Sequence, residues 1–387
     1  MMVSRQGIQR MLASLAVSHS QTAAAAGLES LAAEAGELFA MPGVFAGRVA
    51  PADKHVRAAW IETLAGEIRG KWARERLVFK TSGSTGVPGA CVQDVALLFQ
   101  EARFLAGLFR GTTRVVSLVP AHHIYGFLFT VLLPELLGVP VADLDALSLG
   151  SLPGTLEPGD VVVGFPLLWK KSGELGTVYP PGITGVTSTG PCPTDVVQQA
   201  VTSGLARMAE IHGSTETGGL GYRFSPLEPY RLMDHWISSP QGGALRRVSP
   251  SGGPPVAFAL PDELAWEGER LYRPAGRKDK AVQIAGVNVY PERVRRVLLG
   301  HPLVADAVVR PMSLAEGDRL KAFIVARDPC FEEQAVIREL RGYVSATLIP
   351  PEIPRSFTFG PALPRGPLGK DADWDISGHG TTNGELP

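Results

Sequence analysis

Hydroxyl-bearing and small residues crowd one short segment, residues 81–88, which reads TSGSTGVP. Glycine lets a backbone approach a ligand closely, and successive amides with nearby hydroxyls form a concave site for anions. The candidates for binding phosphate are Thr81, Ser82, Gly83, Ser84, Thr85 and Gly86. The Walker spacing G-x-x-x-x-G-K-[ST] is absent, and the composition alone also fits a flexible linker.

Other residues that suit phosphate chemistry stand far apart in the chain. Glu216 offers the kind of carboxylate that Mg²⁺ takes together with substrate phosphates. Asp262 can accept hydrogen bonds from two hydroxyls, and Arg277 presents a fork of donors. Lys370 can stabilise charge that develops on a phosphate. Taken singly, these charges would be solvated surface groups or ion-pair partners, and an isolated His123 would be a core residue.

The elements around these residues predict an α/β protein. Strand-like residues 77–79 precede the hydroxyl-rich segment and a helical pattern at 95–109 follows it. Further β-branched runs alternate with helical stretches, as in an α/β sheet. These runs are residues 115–119, 139–141 and 160–163, and a second strand and helix pattern spans 281–348. We expect a large N-terminal domain of mixed sheets and helices (1–275), a small mobile α+β domain (276–375) and a loose tail (376–387).

Composition excludes several classes of protein. The chain has 387 residues and a net charge of -1, so no overall field favours nucleic acid or anionic membrane. Its three cysteines, Cys91, Cys192 and Cys330, are too few and too distant for a disulfide framework or a CxxC zinc site. The apolar run at 125–141 is interrupted by Pro134, Glu135 and Gly138 and favours a buried helix and turn over a membrane span. We expect a cytoplasmic protein without a signal peptide.

Seven further segments follow residues 81–88 along the chain, and the last of them ends at Lys370. They are VPAHHIYG at 119–126, TGP at 189–191, HGSTE at 212–216, LPD at 260–262, GRKD at 276–279, GVNVYP at 286–291 and LPRGPLGK at 363–370. The set resembles the motifs of the adenylating superfamily that includes acyl-CoA synthetases, aryl-CoA ligases and peptide-synthetase adenylation domains. HIY is similar to 4-coumarate-CoA ligases, and GVNVYP to phenylacetate-CoA ligase.

The resemblance implies ATP and Mg²⁺ as cofactors and a role for each matched residue. Nucleotide binding falls to residues 81–86, Gly190, Pro191, His212, Gly213, Ser214, Thr215, Asp262 and Arg277, and metal binding to Glu216. The catalytic candidates are Lys370, Glu216 and His123, and the acid pocket is assigned to His123, Tyr125 and Gly126. Asp279 takes the position of the hinge, and Gly286 lies where the tunnel for the thiol opens.

Three departures from the family pattern affect this interpretation. Gly89 stands where a Lys usually follows the phosphate-loop Pro, and phenylacetate-type ligases lack that Lys as well. His212 replaces a Tyr, and much of the N-terminal region of longer relatives is missing. An inactive nucleotide-binding scaffold is therefore the second hypothesis, although Glu216 and Lys370 argue against it.

The resemblance implies activation of an aromatic acid as acyl-AMP and its transfer to a pantetheine thiol. Short ligases with these motifs resemble the activators of aryl-polyene pigment pathways, so a hydroxybenzoate or hydroxycinnamate is expected. Arg293, Arg295 and Arg296 make the helix after residues 286–291 basic, which favours an acidic acyl carrier protein slightly over free coenzyme A. So small a cluster can equally be a solvated face without a partner. No nucleic acid and no membrane insertion are expected.

Overall fold

The computed structural model describes residues 2–21, 26–45, 47–72, 76–81, 89–144, 146–238, 244–284, 287–313, 316–317, 319–365 and 372–376. The chain divides into two compact units. One comprises the described residues up to Gly276, and the other comprises those from Arg277 onward.

The helices of the N-terminal unit are short to medium in length. They are α1 (Arg5–Gln21), α2 (Ala26–Leu38), α3 (Pro42–Phe45), α4 (Lys54–Lys71), α5 (Val95–Leu108), α6 (Ile124–Phe127), α7 (Leu133–Leu137), α8 (Leu152–Thr155), α9 (Pro166–Glu174) and α10 (Thr194–Thr202). A π-helical turn, Leu128–Leu132, joins α6 to α7, and a 3₁₀ helix, Ala146–Ser151, precedes α8. Asp94 caps α5 by accepting from the amide of Ala96 at 2.8 Å.

The strands of the same unit form a central sheet and two small ones. They are β1 (Arg76–Thr81), β2 (Gly89–Asp94), β3 (Arg114–Ser117), β4 (Val141–Asp143), β5 (Asp160–Gly164), β6 (Thr184–Thr187), β7 (Arg207–Ser214), β8 (Gly218–Arg223), β9 (Tyr230–Leu232), β10 (Trp236–Ile237), β11 (Ala244–Arg247), β12 (Val256–Ala259), β13 (Asp262–Trp266) and β14 (Leu271–Arg277). The central sheet has the order β13-β14-β9-β8-β7-β6-β5-β3-β4 among the described residues. β1 and β2 form a hairpin of their own.

One side of the central sheet is parallel, from the edge strand β4 through β3, β5 and β6 to β7. Every residue of β5 is buried, as expected for a parallel strand that is covered on both faces. β8 and β9 then run antiparallel. The parallel arrangement places the carboxyl ends of β3, β5, β6 and β7 at one edge of the sheet.

The apolar run at 125–141 is a buried helical segment, as the sequence predicts. Residues from Phe127 to Leu133 are at most 3% exposed, and α7 ends at Gly138, whose φ of 69° lies in the left-handed region. Across the described residues no helix is both long and apolar enough to span a bilayer.

The C-terminal unit contains two α-helices, one 3₁₀ helix (Pro350–Glu352) and five strands among its described residues. They are β15 (Val282–Ile284), β16 (Val287–Val289), α11 (Pro291–Leu299), β17 (Val304–Pro311), β18 (Leu320–Ala326), α12 (Glu333–Ser345) and β19 (Ser356–Phe359). β18 lies between β17, which is antiparallel to it, and β19, which is parallel. Both helices pack their apolar sides into one core, where Val294, Leu298 and Leu340 are completely buried. The predicted fold class, α/β with a smaller α+β C-terminal part, is confirmed.

Candidate active site

Three of the sequence segments lie at the carboxyl edge of the parallel strands. Residues 118–123 follow β3, residues 188–191 follow β6, and residues 212–216 close β7 and enter the turn to β8. In open α/β sheets, ligands bind in the crevice outside this edge. The fold therefore collects at one place segments that are up to about a hundred residues apart in the chain.

The phosphate-binding candidates are held at their ends by the β1–β2 hairpin. Thr81 is the last residue of β1 and pairs with Gly89, the first of β2. Ser82, Gly83, Ser84, Thr85 and Gly86 lie outside the described residues. The register between Thr81 and Gly89 fixes the two points between which this loop runs.

The acid-pocket segment is tied to α1 through His122. The Oγ of Ser14 accepts from the amide of Ala121 at 2.9 Å and lies 3.0 Å from His122 Nδ1. Burial, and after it the neighbouring His123, lower the pKa of His122 to about 3, so this ring is neutral. Ser14 can then donate to Nδ1, which leaves the ring proton on Nε2.

His123 lies directly before α6 and next to the ring of His122. The side chain is exposed to solvent and lies 4.5 Å, centroid to centroid, from the ring of His122. Desolvation nevertheless lowers the pKa of His123, with Glu34 acting in the opposite direction. The exposed ring is accessible to an acid substrate at the carboxyl edge of the sheet.

Tyr125 and Gly126, which follow His123 in the chain, have structural contacts. The Tyr125 hydroxyl donates towards the carbonyl oxygens of Gly164 at 2.9 Å and Val186 at 3.2 Å, and so links the ends of β5 and β6. A Cβ on Gly126 would overlap the carbonyl oxygen of Pro120. Tyr125 is only 8% exposed, so the bulk of its ring belongs to the core.

Gly190 and Pro191 belong to a strained connection after β6. Thr189, directly before them, has a φ of 73°, which is rare and costly for a β-branched residue. The backbone is held on both sides, since Ser188 Oγ donates to Ile211 O at 2.8 Å and the amide of Cys192 donates to Glu210 Oε1 at 3.0 Å. Strain of this kind persists only where the surroundings enforce it.

His212 and Asp262, predicted to face the adenine and the ribose, are neighbours. His212 Nε2 lies 3.3 Å from Asp262 Oδ2, and its Nδ1 lies 3.0 Å from the hydroxyl of Tyr272. The His212 ring also lies against Tyr230 at 5.3 Å. Both partners are largely buried, with side chains 15% and 9% exposed. The structure therefore brings together two residues that are 50 positions apart in the sequence.

Glu216 lies at the tip of the turn between β7 and β8 and is exposed. Within the turn, Ser214 Oγ lies 3.1 Å from Thr217 Oγ1, and the carbonyl of Thr215 accepts from Gln93 Nε2 at 2.5 Å. A Cβ on Gly213 would overlap the carbonyl oxygen of Gly218, so the bulge at this point requires glycine. The turn presents the Glu216 carboxylate to solvent at the edge of the sheet.

A magnesium ion fits this arrangement. Mg²⁺ keeps several waters and is usually bound by one or two carboxylates together with substrate phosphates. The part of the chain that the structure describes contains no cluster of three or more His, Cys, Asp or Glu suited to a metal cage. Glu216 is suited to supply one carboxylate to an ion that the phosphates of a substrate also hold.

In the C-terminal unit, Asp279 is the centre of a hydrogen-bonded turn. Arg277 donates to both carboxylate oxygens at 2.9 and 2.8 Å, and the amide of Ala281 and the hydroxyl of Tyr290 donate at 3.1 Å each. These bonds, first those from Arg277, lower the pKa of Asp279 to about 2. Gly286 and Lys370 lie outside the described residues.

A cavity of about 710 Å³ adjoins this turn within the C-terminal unit. Its lining includes Asp279, Tyr290, Pro291, Arg295 and Arg365. The cavity therefore touches both the end of the 286–291 segment and the start of the segment that leads to Lys370.

The basic face predicted for α11 is largely neutralised. Arg293 forms an ion pair with Glu352. Arg295 lies 3.1 Å from both Glu292 and Asp306 and donates to the carbonyl of Ala307 at 2.6 Å. Arg296 is exposed, as a docking surface would require. Two of the three arginines therefore no longer favour a carrier protein.

Comparison with known proteins identifies the family of this chain. Residues 294–370 match the AMP-binding enzyme C-terminal domain family. The chain is 38% identical to a 4-coumarate–CoA ligase of Rhodobacter capsulatus over 302 residues, which cover 77% of this chain and 75% of that protein. It is 37% identical to a 4-coumarate–CoA ligase of Cereibacter sphaeroides over 310 residues, 78% of this chain and 71% of that protein.

The fold also matches a solved structure. An o-succinylbenzoate CoA synthetase from Bacillus subtilis aligns with a TM-score of 0.60 at 20% identity, over 76% of this chain and 67% of that one. At this identity the likeness concerns the fold, and it agrees with the predicted class. The resemblance inferred from the motifs is confirmed by the closer sequence relatives. The chain therefore belongs to the adenylate-forming acid–thiol ligases, enzymes that use ATP and Mg²⁺ to activate a carboxylic acid.

Proposed function

We propose that this ligase activates an aromatic carboxylic acid of the hydroxycinnamate type and transfers it to coenzyme A. The observation that carries the proposal is the common sheet edge, which collects the exposed His123 ring, the His212–Asp262 pair and the Glu216 turn. Two relatives that are 38% and 37% identical to this chain over the aligned residues are named 4-coumarate–CoA ligases, which supports the choice of acid and acceptor.

The first half-reaction joins the acid to AMP. A carboxylate oxygen of the acid attacks the α-phosphorus of ATP, the bond between the α-phosphorus and the bridging oxygen breaks, and pyrophosphate leaves with that electron pair. Asp262 accepts hydrogen bonds from the ribose hydroxyls, while His212 lies against the adenine. Glu216 would hold Mg²⁺, which would supply positive charge to the phosphates.

Lys370 stabilises the charge on the α-phosphate and the carboxylate as they react. This role is supported by the motif at 363–370, and residues 294–370 are those matched by the family's C-terminal domain. Arg277 is proposed to contact ribose or phosphate through its guanidinium.

In the second half-reaction, the thiol sulfur attacks the acyl carbon. The carbon–oxygen bond to the phosphate breaks, AMP leaves with the electron pair, and the thiol proton passes to solvent. We place the pantetheine near Gly286, supported by the cavity at Tyr290 and Pro291. Coenzyme A is preferred over a carrier protein because the relatives are named CoA ligases and because Arg293 and Arg295 are engaged in ion pairs.

The test is pyrophosphate release with a panel of cinnamates and benzoates, followed by thioester formation with coenzyme A or with an acyl carrier protein. We expect release with a hydroxycinnamate and thioester with coenzyme A. If thioester forms only on the carrier protein, the proposal that coenzyme A is the acceptor is wrong. ATP binding without release for any acid of the panel would support the inactive scaffold instead.

A further inference from the structure

Gln93, a residue outside the sequence motifs, holds the backbone of the turn that carries Glu216. Its Nε2 donates to the carbonyl oxygens of two consecutive turn residues, Thr215 at 2.5 Å and Glu216 at 3.0 Å. The Gln93 side chain is 3% exposed, so water does not compete for these bonds. One buried amide thus fixes the peptide on either side of the Glu216 α-carbon.

Arg247 and Glu101 hold the other arm of the same turn. Arg247 Nη1 donates to the carbonyl of Thr217 at 3.0 Å, and Glu101 Oε1 accepts from the amide of Gly219 at 2.9 Å. Arg247 also donates to Leu97 O at 2.6 Å, which fixes its guanidinium to α5. Arg247 and Glu101 are 1% and 0% exposed.

Burying these charges is expensive, and stability alone does not explain it. A buried ion pair is often no more stable than well-packed apolar side chains of similar volume. The side chains of Gln93, Arg247 and Glu101 make hydrogen bonds to backbone groups of one turn and next to it. Apolar side chains could not hold those groups in a defined direction. The arrangement therefore serves the geometry of the turn.

Gln93 also connects this turn to the phosphate-loop hairpin. It belongs to β2, whose first residue, Gly89, pairs with Thr81 at the base of the hydroxyl-rich loop. The strand β2 thereby carries both the side chain that contacts the Glu216 turn and the residue that pairs with Thr81.

We propose that Gln93, Arg247 and Glu101 are positioning residues that fix the turn between β7 and β8 and so direct the Glu216 carboxylate towards the metal ion of Mg·ATP. The inference rests on the proposed role of Glu216 as the metal-binding carboxylate. A metal ligand is effective only when its direction is set before the substrate arrives.

The test uses Gln93→Met in the full-length protein. Met keeps the length and volume of Gln but cannot donate, so both carbonyls lose the amide of residue 93, and that of Thr215 keeps only the weaker donor of the Cys91 thiol at 3.2 Å among the contacts described. Affinity is measured by calorimetry for ATP with Mg²⁺ and for ATP in the presence of a chelator, and the Mg²⁺ dependence of pyrophosphate release is measured at saturating ATP. We expect affinity for Mg·ATP to fall roughly tenfold, with binding of metal-free ATP and the KM of the acid unchanged.

Two matched variants separate positioning from stability and from the role of Glu216. Ser172→Ala removes another buried hydrogen bond, 2.6 Å to the hydroxyl of Tyr179, away from the turn, and should lower the melting temperature without changing the Mg²⁺ dependence. Glu216→Gln tests the metal ligand itself and should change the Mg²⁺ dependence at least as much as Gln93→Met.

Each outcome decides one point. If Glu216→Gln shifts the Mg²⁺ dependence and Gln93→Met does not, the positioning inference is wrong and the proposed function stands. If Glu216→Gln has no effect, Glu216 is not the metal-binding carboxylate, and the positioning inference fails with it. Equal weakening of Mg·ATP and metal-free ATP by Gln93→Met would also overturn the inference, because a general loss of structure would then explain it.

Discussion

Glu101 is a completely buried carboxyl on α5, 3.7 Å from the guanidinium of Arg247. Burial raises its pKa from 4.5 to about 7, although Arg247 and the amide of Gly219 act in the opposite direction. The folded protein therefore holds this proton to a higher pH than the unfolded chain does. The resulting contribution to the free energy of unfolding is full below pH 4.5 and is lost as the pH rises through about 7.

Glu101→Gln should remove this pH dependence while keeping an acceptor for Gly219. We expect the free energy of unfolding of the wild type, relative to Glu101→Gln, to fall by on the order of 2 kcal/mol between about pH 5 and pH 7. Urea unfolding of both proteins across this range measures the difference. His235, whose pKa burial and Arg247 lower to about 3, titrates in both proteins. Parallel pH profiles would show that Glu101 does not titrate in this window.

Single residues also show what a sequence can and cannot reveal about the site. His212, Asp262 and Glu216 are found from motifs, because each has a residue type suited to its task. Gln93 and Ser14 act through backbone contacts made across 122 and 107 positions, and their residue types carry no such signal. Glu101 could have been noticed in the sequence, because it lies on the same helical stripe as Leu98 and Leu105, and a charged residue on such an apolar stripe is unusual.

At the scale of the element, the acid-pocket segment and the helix after it depend on Gly126. A Cβ there would meet the carbonyl group of Pro120, which is backbone and cannot swing aside. Gly126→Ala must therefore displace residues 120–123 from the start of α6. Displacements of about 1 Å in a site can cost about a hundredfold in rate.

We expect Gly126→Ala to lower adenylate formation by about a hundredfold, with little change in the affinity for ATP. Gly107→Ala is the matched control, because Gly107 lies in α5 and a Cβ added there would meet nothing within 4 Å. That variant should be stabilised by about 0.5–1 kcal/mol, as expected for Ala over Gly in a helix. Normal acid activation by Gly126→Ala would show that the loop tolerates the shift.

The sequence predicts that α4 is a helix, but it does not correctly predict which of its residues are buried. The pattern predicts one apolar stripe at Val56, Trp60, Leu64, Ile68 and Trp72, yet Val56 is 57% exposed. A step of four residues turns about 400° around a helix, so the stripe drifts by about 40° at each step. The buried face is instead formed by Ile61, Leu64, Ala65 and Ile68.

At the scale of the whole molecule, the change from the N-terminal to the C-terminal unit falls between Gly276 and Arg277. We propose that Asp279, two residues later, is the hinge for the switch between the two half-reactions. Hinges absorb large φ and ψ changes. Asp279→Pro should therefore retain pyrophosphate release and lose thioester formation.

Asp279→Asn is the control for this variant, because it weakens the contacts with Arg277 but leaves the backbone free to rotate. It should form thioester at a rate closer to that of the wild type. Equal loss of thioester in both variants would assign the effect to the side chain. Unchanged thioester formation by Asp279→Pro would show that Asp279 is not the hinge.

The order of elements and the two-part α/β architecture could be predicted because they follow from strand and helix periodicity along the chain. The charge of a surface could not be predicted in the same way. Arg293 and Arg295 look like a basic face in the sequence, but their partners Glu352 and Asp306 are supplied by distant or neighbouring elements of the fold. Net surface charge is a property of the folded unit.

Activation of a carboxylic acid through an acyl-adenylate is the step on which the other proposals depend. The decisive experiment supplies 4-coumarate labelled with oxygen-18 in its carboxylate, together with ATP, Mg²⁺ and coenzyme A. Attack of the carboxylate on the α-phosphorus, followed by attack of sulfur on carbon, leaves one labelled oxygen in AMP and none in pyrophosphate. We predict labelled AMP and the thioester in equal amounts. Formation of ADP with the label in inorganic phosphate would show that the acid is activated by a different route.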